Sequence, residues 1–197
     1  MRIPRVPCLA CTAFMALTLT LACGGGGGGG GGSTNPPPPP KTIADTLTYT
    51  DPASSGFRLV RNSSLSSQSR LVLDLVGPSG TNGQGVAFIA SADQTKVTWS
   101  NPPSASSQVA NVAFNLGTGT QALVAKVTGD QLQGGAFQKP GTAAVNLAQP
   151  LVRISLDLKS GVPVNSAVAL NVTAGNQLQA TGGPASITVA VGSLIAQ

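Results

Sequence analysis

The sequence predicts an all-β domain, an antiparallel β-sandwich, and three observations carry the prediction. From Lys41 onward, apolar and polar residues alternate with period two in one segment after another. Gly, Pro, Asn and Ser cluster between those segments at short spacing. No window sustains a helical period, so the crossovers that a parallel βαβ sheet requires are missing. The folding part is shorter than the 197-residue chain. Residues 1–22 read as an export signal and residues 23–40 as an anchor and tether. Residues 41–197 remain for one domain, enough to bury roughly 70% of its extended-chain surface.

Met1–Pro7 carries Arg2 and Arg5 and no acid, and Cys8–Ala22 is an apolar run of 15 residues almost without interruption. That run is too short to cross a hydrocarbon layer of about 30 Å as a stop-transfer helix, and it reads as the apolar region of a secretory signal. It closes on Thr20-Leu21-Ala22-Cys23, followed by Gly24. Small Ala22 ahead of Cys23 resembles the lipobox of bacterial lipoproteins, although Thr20 holds the usual Leu position and Leu21 follows it. The resemblance implies acylation of the Cys23 thiol, cleavage just before it, and membrane attachment through lipid. Gly24 after the Cys, rather than Asp, resembles outer-membrane sorting where the host has such a membrane. Cys8-x-x-Cys11 has redox spacing, yet it lies inside the signal with no second pair to complete a site. The mature domain therefore has no disulfide.

Nine glycines, Gly24–Gly32, lead through Ser33-Thr34-Asn35 to five prolines, Pro36–Pro40. The stretch has nothing to bury and is expected to stay outside the fold. Its Gly part is a flexible coil about 20 Å end to end, and its Pro part a stiff rod of about 15 Å. A lipid, a swivel and a spacer in that order suit a domain held off a membrane surface.

In the domain, Asp45–Thr50 and Gly56–Arg61 come first. Leu71, Leu73 and Leu75 then line one face of Arg70–Val76, with Asp74 on the other. Val86–Ala90, Thr95–Ser100, Val109–Leu116, Gln121–Thr128 and Ala143–Leu147 follow. Ile154, Leu156 and Leu158 alternate with Arg153, Ser155, Asp157 and Lys159 in the clearest amphipathic strand. Val168, Leu170 and Val172 repeat the pattern, as do Ile187, Val189 and Val191. Ten or eleven such strands with turn signals between them argue for a sandwich. Gly77–Gly85 and Gly117-Thr118-Gly119 are expected as turns; lacking Gly-Lys-Ser/Thr, they are no phosphate cradle.

Phe88 and Phe114 sit in apolar segments and belong to the core. Trp99 ends a strand ahead of Ser100-Asn101-Pro102-Pro103 and has two readings. It is a core or core-edge residue, or it joins Tyr49 as an exposed platform on which a polysaccharide ring stacks.

Leu71–Asn101 resembles the early part of a bacterial cohesin module. An apolar strand leads through a Gly-rich turn to Gly85-Val86-Ala87-Phe88-Ile89-Ala90. Asp93 then stands where cohesins place a Tyr-Asp-Pro turn, followed by Lys96-Val97-Thr98-Trp99. Pro150–Lys159 is similar to the penultimate apolar strand, Gly161–Thr173 to the loop and next strand, and Ile187–Ile195 to the closing strand. The resemblance covers about two thirds of residues 41–197. It implies a nine-stranded jelly-roll sandwich, related in fold to carbohydrate-binding modules, and a protein partner of the dockerin kind. Tyr and Pro of the turn are missing here, and no contact residue carries over.

The composition removes most catalytic chemistry. The chain has no His and no Glu, and all three Cys and both Met fall within the first 23 residues. Usual general bases, zinc ligands and thiol nucleophiles are thus absent from the domain. Six Asp remain, no two closer than six positions, and no Ser-x-x-Lys occurs in the domain. The reading is a non-enzyme with no cofactor; calcium at Asp93 or Asp130 stays open. Nine basic residues outside the signal face six Asp, a spread net charge of about +3 that does not favour nucleic acid. Arg58, Arg61 and Arg70 are the one local concentration, either a solvated face or a contact for an anionic partner. The leading expectation is a membrane-anchored extracytoplasmic module that engages a protein partner. Its alternatives are a carbohydrate-binding lipoprotein and a passive envelope component.

Overall fold

The computed structural model describes residues 39–119, 122–181 and 183–197, all in strands, turns and loops with no helix. The export signal, Cys23 and the tether through residue 38 lie outside the described residues. In chain order the strands are β1 (Leu47–Thr50), β2 (Phe57–Arg61), β3 (Arg70–Val76), β4 (Asn82–Ala92) and β5 (Val97–Ser100). Then come β6 (Val109–Asn111), β7 (Leu123–Thr128), β8 (Gln131–Phe137), β9 (Val145–Asn146) and β10 (Pro150–Leu158). The last five are β11 (Ser166–Ala167), β12 (Leu170–Gln179), β13 (Pro184–Ser186), β14 (Val189–Ala190) and β15 (Ser193–Ala196).

Two large sheets and one small one share a core. The first sheet runs β14-β2-β3-β10, and β5 and β6 divide the far edge of β10 between them. The second runs β13-β12-β4-β8-β7, with β9 extending along β4. The small sheet is β1-β15-β11. Alternation places Leu71, Leu73 and Leu75 opposite Leu156, Ile154 and Val152 on the inner face of the first sheet. Val86, Phe88 and Ala90 of β4 with Leu132 and Ala136 of β8 supply the inner face of the second. The all-β sandwich is as the alternation predicted, because every one of these side chains needs a second layer to exclude water.

Several expectations are corrected. Gln131–Phe137, absent from the expected strands, is a full strand with Gly134-Gly135 in its centre. Two aromatic rings explain it. Phe88 lies directly opposite Gly134 on the inner face, and Phe137 lies opposite Gly85 on the outer face. Each ring covers the gap its partner glycine leaves. A Cβ on Gly134 would come within 2.4 Å of Phe88 Cζ, and one on Gly85 within 2.6 Å of Phe137 Cδ1. Gly83 and Gly85 are accordingly strand residues, and β4 starts earlier than the expected turn over Gly77–Gly85 allowed.

The strand expected over Val109–Leu116 stops at Asn111. There the Asn111 side chain folds the backbone over: its Oδ1 accepts from Phe114 N at 3.0 Å and its Nδ2 donates to Phe114 O at 2.7 Å. The closing segment Ile187–Ile195 is likewise not one strand. β14 pairs with β2 in parallel, the one exception to antiparallel pairing among the described residues, and β15 pairs with β1. Between them Gly192 passes so close to Thr50 that a Cβ would overlap Thr50 O.

Candidate protein-binding face

The outer faces of the two large sheets differ in electrostatics. On the first sheet, polar residues of facing strands consume one another. Arg153 grips Asp74 through Nε–Oδ1 at 2.6 Å and Nη2–Oδ2 at 3.1 Å, and Asn62 donates to the same Asp74 at 2.8 Å. Arg70 grips Asp157 at 2.6 and 2.7 Å. Both are directly opposed cross-strand pairs, with Val72 and Ser155 between them. Arg70 holds the Asp157 carboxyl below its usual range, and Asp157 in turn raises the Arg70 guanidinium. Of the expected arginine concentration, Arg70 is spent on Asp157 and Arg58 donates to Gly56 O, while Arg61 gives only its main-chain amide to Asp51 and its guanidinium Nε has no partner among the described residues.

The outer face of the second sheet is nearly uncharged. Its pairing aligns Asn176, Ala87, Gly135 and Val124 in one row, and Ala174, Ile89, Gln133 and Lys126 in the next. Gly134, Ala87 and Ala174 floor a shallow trough of about 310 Å³, which Ile89, Val124 and Phe137 border. Gln133 and Asn176 supply polar groups at its margin, and Lys126 is the one charge among these two rows. Small residues let another backbone approach closely, the apolar border offers area to desolvate, and the neutral amides keep orientation specific. Such a face suits a protein surface.

Trp99 and Tyr49 do not form an exposed platform. Trp99 is 7% exposed, faces inward opposite Leu156, and donates its indole N–H to Asp130 O at 3.0 Å. Tyr49 is 6% exposed in the small sheet. Its hydroxyl accepts from Gly192 N at 2.7 Å and donates to Leu59 O at 3.1 Å, and burial pushes its pKa up to about 12. Rings held in a core have no free face for a sugar.

Asp93 and Asp130 do line one concavity, of about 350 Å³, together with Asn171. Asp93 is already engaged as the turn between β4 and β5. Its Oδ1 accepts from Thr95 N and Oγ1 at 3.0 and 2.5 Å, and its Oδ2 meets Lys96 Nζ at 3.0 Å. Those hydrogen bonds, Thr95 first, lower its pKa to about 2. Among the described residues no three His, Cys, Asp or Glu side chains converge on a point that would hold a metal ion. Cys23 lies outside the described residues.

No protein-family model matches this sequence, and no curated protein matches it. Solved structures do match in three dimensions. One is the sixth cohesin of scaffoldin B from Acetivibrio cellulolyticus, solved in complex with a mutant Cel5 dockerin. It aligns at a TM-score of 0.50 and 16% identity, over 70% of this chain and 96% of that one. Another is a type II cohesin domain from the cellulosome of Acetivibrio cellulolyticus, at a TM-score of 0.50 and 13% identity, covering 72% and 95%. This chain has a cohesin-like fold. At such identities the likeness concerns the fold and transfers no contact residue.

Sequence reasoning missed the trough because it missed β8. The signal was present: Leu132, Gly134 and Ala136 alternate with Gln131, Gln133 and Gly135, an inward-outward pattern masked by two glycines.

Proposed function

We propose that this protein is a lipid-anchored, extracytoplasmic module that holds a protein partner on the outer face of the β12-β4-β8-β7 sheet and catalyses no reaction. The observation that supports it most is the contrast between the two sandwich faces: one crossed by its own ion pairs, the other nearly uncharged, small-floored and bordered by apolar side chains. The cohesin-like fold agrees with this reading, since a fold relative was solved with a protein bound. Residues 1–22 serve as the signal, Cys23 carries the lipid, the remainder through residue 40 is the tether, and residues 41–197 bind. Polysaccharide is the weaker reading, because both aromatic residues it needed are buried.

A photo-crosslinking residue placed at Gln133 in the full chain in cells should give a discrete protein adduct, and one at Thr98 on the opposite sheet should not. Ala87→Arg, which sets a charge in the trough, should abolish the Gln133 adduct while leaving the fold intact. Equal labelling from both faces, or an adduct indifferent to Ala87→Arg, would overturn the reading. Anchoring is tested separately. Mass spectrometry of membrane-extracted protein should find an acylated amino-terminal Cys23, and full membrane retention of Cys23→Ser would refute it.

A further inference from the structure

Antiparallel register decides which backbone groups of β7 face its sheet. Phe137 N donates to Ala122 O at 2.8 Å, and pairing continues from Leu123↔Ala136 to Thr128↔Gln131. Hydrogen-bonded pairs alternate, so Val124, Lys126 and Thr128 bond to β8, and the N–H and C=O groups of Leu123, Ala125 and Val127 point away from it. β7 ends its sheet, and those six groups meet no other backbone or side-chain partner among the described residues. Water or another chain has to satisfy them.

Other edges are blunted as edge strands usually are. The edge formed by β5 and β6 is interrupted at Pro102-Pro103, with Ser104 at a φ of 65°. β13 spans three residues and begins with Pro184. β7 is six residues long, free of proline and without a bulge. Apolar exposure also gathers beside it. Val112, Val124 and Val127 are three of the four large apolar side chains exposed among the described residues, on β7 or in the bend after neighbouring β6.

Charge selects the occupant. The ion pairs among the described residues are Lys41–Asp45, Arg70–Asp157, Lys96–Asp93 and Arg153–Asp74. Lys126, in the middle of β7, takes part in none, and neither does Lys139, just past β8 where that strand lies alongside the start of β7. No acid occurs in β7 itself.

We propose that the β7 edge is a second binding site, which takes an extended, acid-bearing segment of a partner protein as an added antiparallel strand. The segment's main chain satisfies the six open groups. Its apolar residues cover Leu123 and Val127 on one side, and its carboxylate lies opposite Lys126 on the other. The site uses edge groups and not the trough, so it stands or falls apart from the face described above.

The test is an NMR titration of the full-length chain, purified in mild detergent, with a hexapeptide alternating Val and Thr that carries Asp at its fourth position. A second peptide has Lys in place of Asp. Shift changes should be confined to Leu123–Thr128 and adjoining β8. The Asp peptide should bind about fivefold more tightly than the Lys peptide, the ratio expected between opposed opposite and like charges. Salt should narrow that ratio. Ala125→Pro removes an edge-facing N–H and spares the β8 ladder, so it should keep the melting temperature and lose the peptide. Lys126→Glu should invert the preference and leaves the backbone untouched. Undiminished binding by Ala125→Pro, shifts centred on Ala87 and Ile89, or no binding at millimolar peptide would each overturn the proposal. So would self-association of the unliganded chain that Ala125→Pro removes, which would assign the edge to a second copy.

Discussion

Gly134 sits opposite Phe88 with no space to spare. An added Cβ would lie 2.4 Å from Phe88 Cζ and 2.9 Å from both Cε atoms, where ordinary contact begins near 3.4 Å. In Gly134→Ala the ring has to retreat by about 1 Å, and at 4% exposure it cannot retreat without displacing its neighbours. Overpacking of this kind costs about 1–3 kcal/mol. The same change narrows the unfolded ensemble, which offsets about 0.4–1 kcal/mol. A net loss of about 1–2 kcal/mol is expected from those two terms. Gly56→Ala is the matched control, because its new Cβ would meet only Ser54 Oγ at 3.6 Å; it should gain up to about 1 kcal/mol. Urea midpoints at constant m-value measure both. Phe88→Leu removes the obstructing ring end, so the double variant should be more stable than the sum of the single changes by at least about 0.5 kcal/mol. Additive effects, or a Gly134→Ala variant as stable as wild type, would refute the ring-on-glycine account of β8.

Leu156→Ala should cost about 2–5 kcal/mol by chemical denaturation, since the side chain is fully buried between Leu71 and Trp99. Tyr49→Phe should cost about 1–3 kcal/mol, because the partly buried Gly192 N–H loses its acceptor and Leu59 O its donor. Tyr49 is also neutral in the fold up to about pH 12, so stability should fall as pH rises from the ordinary tyrosine range toward 12, less steeply in Tyr49→Phe. Asp93 has the opposite sign. Its folded pKa of about 2 lies below the unfolded value, so its contribution is present above about pH 4 and fades as pH falls toward 2. Melting curves of wild type and Asp93→Asn should converge over that interval.

Much of the sandwich was legible because burial of one strand face leaves a period-two trace. Arg70–Val76 and Pro150–Leu158 alternate cleanly, and the structure pairs them at the centre of the first sheet. Asp74 read as an outward residue, and it is one; its burial beneath Arg153 depended on a strand 79 positions away and left no local mark. The candidate face was illegible for a similar reason. Its floor is glycine and alanine, residues that carry little pattern, and its border brings the β7-β8 hairpin together with β4 and β12, which lie far from it in sequence.

By itself the sequence determined the class of the fold, the absence of His and Glu, and the lack of any disulfide in the domain. These follow from composition and local periodicity, which a single chain segment carries within itself. Only tertiary structure decided that the segment around Gly134-Gly135 is a strand, because the rings that make it so belong to Phe88 and, through Gly85, to Phe137. Tertiary structure also turned Trp99 and Tyr49 inward, to Asp130 O, Leu59 O and Gly192 N. An aromatic residue at a strand end has the same local sequence whether it faces solvent or core. The layer that packs above it makes the choice, and that layer is assembled from the rest of the chain.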